Sequence, residues 1–267
     1  MESGISCKLN KMTSKPLILV TNDDGISAPG IRMLIGIMKE LGEVVVVAPD
    51  KPQSAMGHAI TINNMLYLNK VSEENGLEYS CSGTPVDCVK LAVNEILHRK
   101  PDLCVSGINH GSNSSINVIY SGTMSAAVEA GIEGIPAIGF SLSDFDWNAD
   151  FGQARKFIRK IAAHVLENGL SNGTILNVNI PKLKEDEIKG IKICRQAKAV
   201  WMEKFDKRKT PNGKDYYWLT GEFVNQDEGE DTDEWALANG YISVVPVHYD
   251  MTAHHAIQEL NSWKINE

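Results

Sequence analysis

Five short apolar runs punctuate the first two thirds of the chain: Leu17–Thr21, Val44–Ala48, Leu103–Ser106, Ala137–Phe140 and Ile175–Val178. Each is too brief for a helix and too continuous for a strand with one wet side. Such runs predict strands covered on both faces. Between them the apolar period changes to that of a helix. Ile31, Leu34, Ile35, Met38 and Leu41 fall on one helical stripe, with Gly42 placed to cap its end. Thr84-Pro85 predicts an N-cap with proline in the first turn, followed by Val86, Val89, Val93, Ile96 and Leu97 on one face. Residues 122–133 predict a small-residue, close-packing helix, and 151–167 a further helix with Gly169 just beyond it. Strand, helix and strand within about 30 residues make a right-handed unit with parallel strands.

Residues 55–80 are mixed and predict an inserted β segment, with Met65–Leu68 alternating. After Pro181 the texture turns polar. Residues 184–240 carry short alternating stretches and the acidic run DEGEDTDE at 227–234, read as a solvated loop. Ile242–Val247 predicts a late strand and 253–264 a terminal helix. The expected organisation is a flexible tail over 1–15 and one α/β domain over 16–267, with 184–267 as a C-terminal extension.

The chain has 267 residues, 43% of them hydrophobic, enough for a full core. Lys plus Arg is 26 and Asp plus Glu is 34, a net charge of −8. That balance argues against macromolecular nucleic acid as a partner. It leaves room for a small phosphate ester held by a few local donors. No apolar run reaches the roughly 20 residues of a membrane span, so no membrane partner is expected. The first fifteen residues hold no apolar signal core. Cys7, Cys81, Cys88, Cys104 and Cys194 include no C-x-x-C pair and read as free thiols of a reducing, cytoplasmic compartment.

Ligands of open α/β sheets bind beyond the carboxyl ends of the strands. Asn22-Asp23-Asp24-Gly25 follows the first run. Asp50-Lys51-Pro52-Gln53-Ser54 follows the second. Gly107-Ile108-Asn109-His110-Gly111-Ser112-Asn113 follows the third. Three strand ends thus bring carboxylates, a hydroxyl and an amide to one edge. Asp24-Gly25 also suits an ordinary tight turn. As a set, the groups are hard oxygen donors suited to Mg²⁺, Mn²⁺ or Ca²⁺ rather than zinc. Ser121-Gly122-Thr123 stands before the small-residue helix, where backbone N–H groups attract anions. Taken alone it reads as an ordinary helix cap; beside a metal, a phosphate cradle is the better reading. Ser82-Gly83-Thr84 has similar chemistry with less reason to face the site. His58 and His110 are near enough in sequence to approach it as an acid or substrate contact, although a role in loop structure is the commoner one for each. His98 and His164 read as helix-surface residues. His248, His254 and His255 lack zinc spacing.

The segments ILVTNDDGISAPGI, VVVVAPDKPQSAMGHAIT, SGTPVDCV, VSGINHGSN and IYSGTMSAAVEAGIEGIPAIGFSL together resemble the SurE family, metal-dependent 5′/3′-nucleotidases also called survival proteins. The match runs from Leu17 to about Leu142, with an echo in GYISVVPVHYDMT. The resemblance implies a Rossmann-like three-layer α/β sandwich with a mostly parallel sheet and a C-terminal hairpin or arm used in oligomerisation, as a homodimer or homotetramer. It implies hydrolysis of nucleoside 5′-monophosphates, and of 3′-monophosphates as a further activity, to nucleoside and phosphate. It implies one Mg²⁺ or Mn²⁺ per subunit on Asp23, Asp24, Ser54 and Asn109. It places Asn113, Ser121, Gly122 and Thr123 on the phosphate side, and Asn22 is assigned with them. Asp23, Asn109 and Ser121 are the expected catalytic residues; His110 or solvent would protonate the leaving group. Adjacent carboxylates disfavour an aspartyl-phosphate phosphatase, which wants a D-x-D spacing. No G-x-G-x-x-G follows the first run, which disfavours a dinucleotide enzyme. A nucleotide-binding regulatory module without catalysis is the alternative from another class.

Overall fold

The computed structural model describes residues 15–73, 76–263 and 265; the expected tail over 1–14, with Cys7, lies outside them. The first two runs form β1 (Leu17–Thr21) and β2 (Glu43–Pro49), joined by α1 (Pro29–Met38). The insertion folds as β3 (Leu68–Ser72) and β4 (Leu77–Cys81), followed by α2 (Pro85–Leu91) and β5 (Leu103–His110). Then come α3 (Gly122–Ile132), β6 (Ala137–Leu142), α4 (Arg155–Asn168) and β7 (Thr174–Ile180). The last third holds β8 (Gly190–Ile193), β9 (Ala199–Lys209), β10 (Asp215–Asn225), α5 (Asp233–Ala238), β11 (Tyr241–His248) and α6 (His254–Asn261).

Nine strands build one sheet in the order β3-β4-β2-β1-β5-β6-β7-β11-β8. From β4 to β7 the pairs are parallel; β3 and β11 join antiparallel. The central strands are apolar throughout because the sheet is covered on both sides. Ile18, Val20, Val44 and Val46 pack with α1 and α4, while Leu17, Leu19, Val45 and Val47 pack with α2 and α3. Alternation along each strand feeds two cores instead of one core and water. The β1–β2 and β6–β7 crossovers run in opposite directions across the sheet, yet α1 and α4 share one face. Those two connections therefore have opposite hands, and one departs from the right-handed default.

Several sequence expectations need adjustment. Gly42 does not cap α1. Lys39 does, in helical conformation, and Gly42 is small because a Cβ would lie 2.3 Å from the Pro16 carbonyl oxygen. The helix from Pro85 changes to a π-helical turn at Ala92–Ile96, and His98 lies beyond it in a bend. Thr84 and Asp87 form the full capping box. The acidic run is not wholly a solvated loop. Thr232 caps α5, and Asp233 is buried, accepting from the N–H groups of Ser115 and Ala197.

β5 runs four residues further than its apolar run, and its register against β6 shifts between Ser106 and Asn109. Gly30, at the start of α1, seats directly on this irregularity. A Cβ there would lie 2.0 Å from the Ile108 carbonyl oxygen. Backbone cannot swing aside as a flexible side chain can. Gly30→Ala is therefore expected to cost roughly 1–3 kcal/mol of stability. In urea titrations the midpoint falls with the slope unchanged; an unchanged midpoint contradicts the packing described.

Candidate active site

The site sits where β1 and β5 lie side by side. The chain leaves β1 toward β2 and leaves β5 toward β6, in opposite directions across the sheet. The strand ends therefore open into a crevice, the usual ligand position of such sheets.

Asn22-Asp23-Asp24-Gly25 turns immediately after β1. Asn22 Nδ2 donates to the Gly25 carbonyl at 2.9 Å, and Gly25 takes a φ of +97° that favours glycine. The loop after β2 is stitched onto this turn. Ile26 N–H donates to the Pro49 carbonyl at 2.8 Å, and Gln53 N–H donates to the Asp23 carbonyl at 2.7 Å. Ser54 follows at once and is exposed. From the other side, His110 at the end of β5 reaches Asp24. Its Nδ1 lies 3.0 Å from Asp24 Oδ2, and its backbone N–H donates to the same oxygen at 3.3 Å. Asn109 Nδ2 donates to the Gly111 carbonyl at 2.8 Å, which leaves its Oδ1 as the group available to a cation.

The fourth contributor is the N-terminus of α3. Ser121 is its N-cap and accepts from the Met124 N–H at 3.0 Å. The Thr123 hydroxyl donates to Asp23 Oδ1. At Gly122 a Cβ would lie 2.7 Å from Asp23 Cβ and 2.8 Å from Asp23 Oδ2. Only glycine lets the helix end approach that carboxylate so closely. The structure thus brings Asp23 against Gly122 and Thr123, and Asp24 against His110, with Asn109 held by its own bond to Gly111 and Ser54 next to Gln53, which is bonded to Asp23.

Asp23 is 4% exposed. Burial, and next the charge of Asp24, raise its pKa from 3.8 to about 6 against hydrogen bonds from Thr123 and the backbone. Asn22 Oδ1 and Thr21 Oγ1 beside it are buried with no hydrogen-bond partner among the described residues. Paired carboxylates, unpartnered amide oxygen and nearby hydroxyls make a hard donor set that fits a divalent cation. Asp23, Asp24, Ser54 and Asn109 are the residues that would hold it.

Other candidates are committed elsewhere. Asn113 lies inward: its Nδ2 donates to Ser141 Oγ at 2.8 Å, its N–H to Asn179 Oδ1 at 2.7 Å, and its carbonyl accepts from Asn177 Nδ2. The signal for that network was the N-x-N pair inside the apolar run of β7. His58 serves loop structure. Its Nε2 lies 2.8 Å from Glu129 Oε2 on α3, and Lys90 of α2 pairs with the other carboxylate oxygen. Burial pushes Glu129 up, but the hydrogen bonds from His58 and Lys90 outweigh it and hold the carboxyl below its ordinary range. Glu129 was missed because a single glutamate in an Ala-rich helix gives no sign of its partners.

The family profile described as Survival protein SurE matches residues 18–203. The chain belongs to the SurE family. The 5'-nucleotidase SurE of Flavobacterium psychrophilum is 78% identical over 95% of this chain and 100% of its own length. The 5'-nucleotidase SurE of Bacteroides fragilis is 51% identical over 94% of this chain and 98% of its own. The crystal structure of the SurE protein from Aquifex aeolicus superposes with a TM-score of 0.82 at 43% identity, covering 92% of this chain and 98% of that one. The SurE match begins inside β1 and ends inside β9, so it spans every strand end that contributes to the crevice.

The raised pKa of Asp23 carries a stability consequence. Its folded value lies above its unfolded one, so the folded state binds the proton more tightly. Stability then falls as pH rises from about 4 through about 6, and the cost is complete above that. With chelator present, Asp23→Asn is expected to be more stable than wild type by roughly 3 kcal/mol at pH 8 and equal to it at pH 4. Urea titrations at the two pH values check it. A variant less stable than wild type at pH 8 would show that Asp23 is held favourably by the protein alone.

Proposed function

We propose that this chain is a metal-dependent phosphomonoesterase that hydrolyses nucleoside 5′-monophosphates to nucleoside and phosphate, with 3′-monophosphates as further substrates. The observation that carries the reading is the contact of two unlike ends at one place. A near-buried carboxylate pair meets the N-terminus of an anion-attracting helix, with Gly122 allowing the approach. A cation alone needs no helix N-terminus, and an anion alone would be repelled by Asp23 and Asp24. A phosphate monoester bridging a cation and a helix end satisfies both. The names of the relatives, 5'-nucleotidase SurE, support the same activity.

Mg²⁺ or Mn²⁺ held by Asp23, Asp24, Ser54 and Asn109 would supply charge neutralisation and Lewis acidity. The protein groups do the rest. The backbone N–H groups at Gly122 and Thr123 face the anion from the helix end. The Ser121 hydroxyl accepts from Met124 N–H, so its own proton is free for a phosphoryl oxygen. Thr123 holds Asp23 in one rotamer, so the donor needs no reorganisation as charge shifts. Asn22 braces the turn through Gly25, and Asn113 supports the wall through Ser141. His110 has both ring nitrogens engaged, Nδ1 with Asp24 and Nε2 at 3.3 Å from the Trp147 carbonyl, so it braces Asp24 and leaves solvent to protonate the departing oxygen.

The reading extends to assembly and compartment. The β9–β10 hairpin exposes Trp201, Phe205, Trp218 and Leu219, and no residue of α6 is buried. An isolated two-stranded ribbon is marginal in water. Contacts with a second copy would cover these rings, as a homodimer or homotetramer. Trp218→Asp is expected to shift the mass toward monomer in sedimentation runs at micromolar protein. Cys81, Cys88, Cys104 and Cys194 are free and buried, which suits a reducing cytoplasm. No helix among the described residues is long and apolar enough to cross a membrane.

The direct test is phosphate release from a panel of nucleoside monophosphates with chelator, Mg²⁺ or Mn²⁺. Release is expected only with a metal. Gly122→Ala should lower kcat by about 100-fold through displacement of Asp23, and Asp23→Asn by at least as much. Nucleotide binding with no release under any metal would instead identify a regulatory module.

A further inference from the structure

The loop between β6 and α4 carries two aromatic rings that each keep much of their surface in solvent. Phe145 is 81% exposed and Trp147 is 55% exposed. Both stand at the carboxyl edge of the sheet, next to the crevice. Trp147 lies flat on His110, with ring centroids 5.2 Å apart and planes 7° from parallel. That imidazole is the one that touches Asp24. Phe151 meets the same imidazole edge-on at 4.9 Å. The indole is therefore one ring removed from the carboxylate pair, with its second face turned away from His110. Phe145 lies over Gly111, where a Cβ would come 2.3 Å from its ring.

The loop is anchored where these rings emerge. Gly111 N–H donates to the Asp144 carbonyl at 3.0 Å, and Ser143 N–H donates to the Ile180 carbonyl at 2.8 Å. Lys182 Nζ lies 2.9 Å from Asp144 Oδ1, and Asp146 N–H donates to that same oxygen at 3.1 Å. Rings held on a braced loop lose little freedom when they bind.

We propose that Trp147 and Phe145 form the stacking platform for the nucleobase of the substrate, and so set its preference for nucleotides over other phosphate monoesters. The inference rests on the phosphomonoesterase reading above. A nucleotide carries its charge at one end and a planar π-face at the other, a sugar's length away. The crevice offers a cation and helix end for the charge, and one ring further on an exposed indole. Stacking uses a π-face that every base has, so the platform selects for a base without selecting which one.

The experiment compares kcat/KM on a purine nucleoside 5′-monophosphate with kcat/KM on ribose 5-phosphate, which has the same phosphate end and no base. The proteins are wild type, Phe145→Ala, Trp147→Ala and Trp147→Phe. Inhibition by free nucleoside and by inorganic phosphate is read alongside. The nucleotide-to-sugar-phosphate ratio is expected to fall roughly 5- to 100-fold in Trp147→Ala, by the size of base–aromatic stacking. It should fall less in Phe145→Ala and stay near wild type in Trp147→Phe. Nucleoside inhibition weakens in parallel, and phosphate inhibition holds, which also shows that the site is folded. An unchanged ratio, or equal losses on both substrates, overturns the platform while leaving the phosphomonoesterase reading intact. Wild type that releases phosphate from neither substrate overturns both.

Discussion

A carboxylate that is almost wholly buried, and has a second carboxylate as its chain neighbour, is an unfavourable object. Asp23 is held in that state just beyond the end of β1. The surrounding elements are arranged around that cost. The Thr123 hydroxyl and the positive end of α3 lower it, and Gly122 removes the side chain that would keep the helix away. His110 takes one oxygen of Asp24, which ties the second carboxylate to the end of β5. None of these contacts disperses the charge fully, and Asn22 Oδ1 beside them has no partner among the described residues. The local structure is therefore incomplete as a polar cluster, which is what the proposed cation, with an anion behind it, would complete.

The loops that frame this cluster are fixed from outside it. The loop carrying Ser54 would otherwise be a surface excursion of mostly exposed residues. Its near end is tied to Asp23 by Gln53, and its far end to Glu129 by His58. Glu129 stands on α3, the helix whose first turn meets Asp23. One rigid helix thus sets both ends of the crevice, and Lys90 from α2 supplies the cation that lets Glu129 remain charged while buried.

Much of this was legible in the sequence because the sheet is covered on both sides. Leu17–Thr21 and Val44–Ala48 are readable as strands since each residue, odd or even, meets a core. Once the strands are placed, the topology alone says which loops share an edge, so Asp23, Ser54 and Asn109 could be grouped without any contact being known. What stayed hidden has no local period. β5 continues through Gly107 to His110 because its pairing with β6 resumes after a register shift, and nothing in the run Ser-Gly-Ile-Asn-His announces that. Gly42 looked like a helix cap by position, whereas its smallness answers to Pro16, distant in sequence. The partners of Glu129 and Asn113 are 28 to 71 residues away, and only the fold brings them near.

The C-terminal third obeys a different physics. Its body residues are integrated: Ser115 donates from its N–H to Asp233, its hydroxyl donates to the Ala197 carbonyl, and it accepts from Ala199 N–H. These bonds join the root of the hairpin to the same loop that carries Asn113. From Ala199 onward the pairing of β9 with β10 runs for eleven rungs while burying almost no side chain. Backbone hydrogen bonds of an isolated ribbon exchange with those to water at little net gain. The hairpin's order must then come from its root, or from surfaces laid against its rings. Because Ser115 is bonded to that root and stands two residues from Asn113, the root of the hairpin and the network around Asn113 are positioned together, by hydrogen bonds on one side and by the backbone on the other.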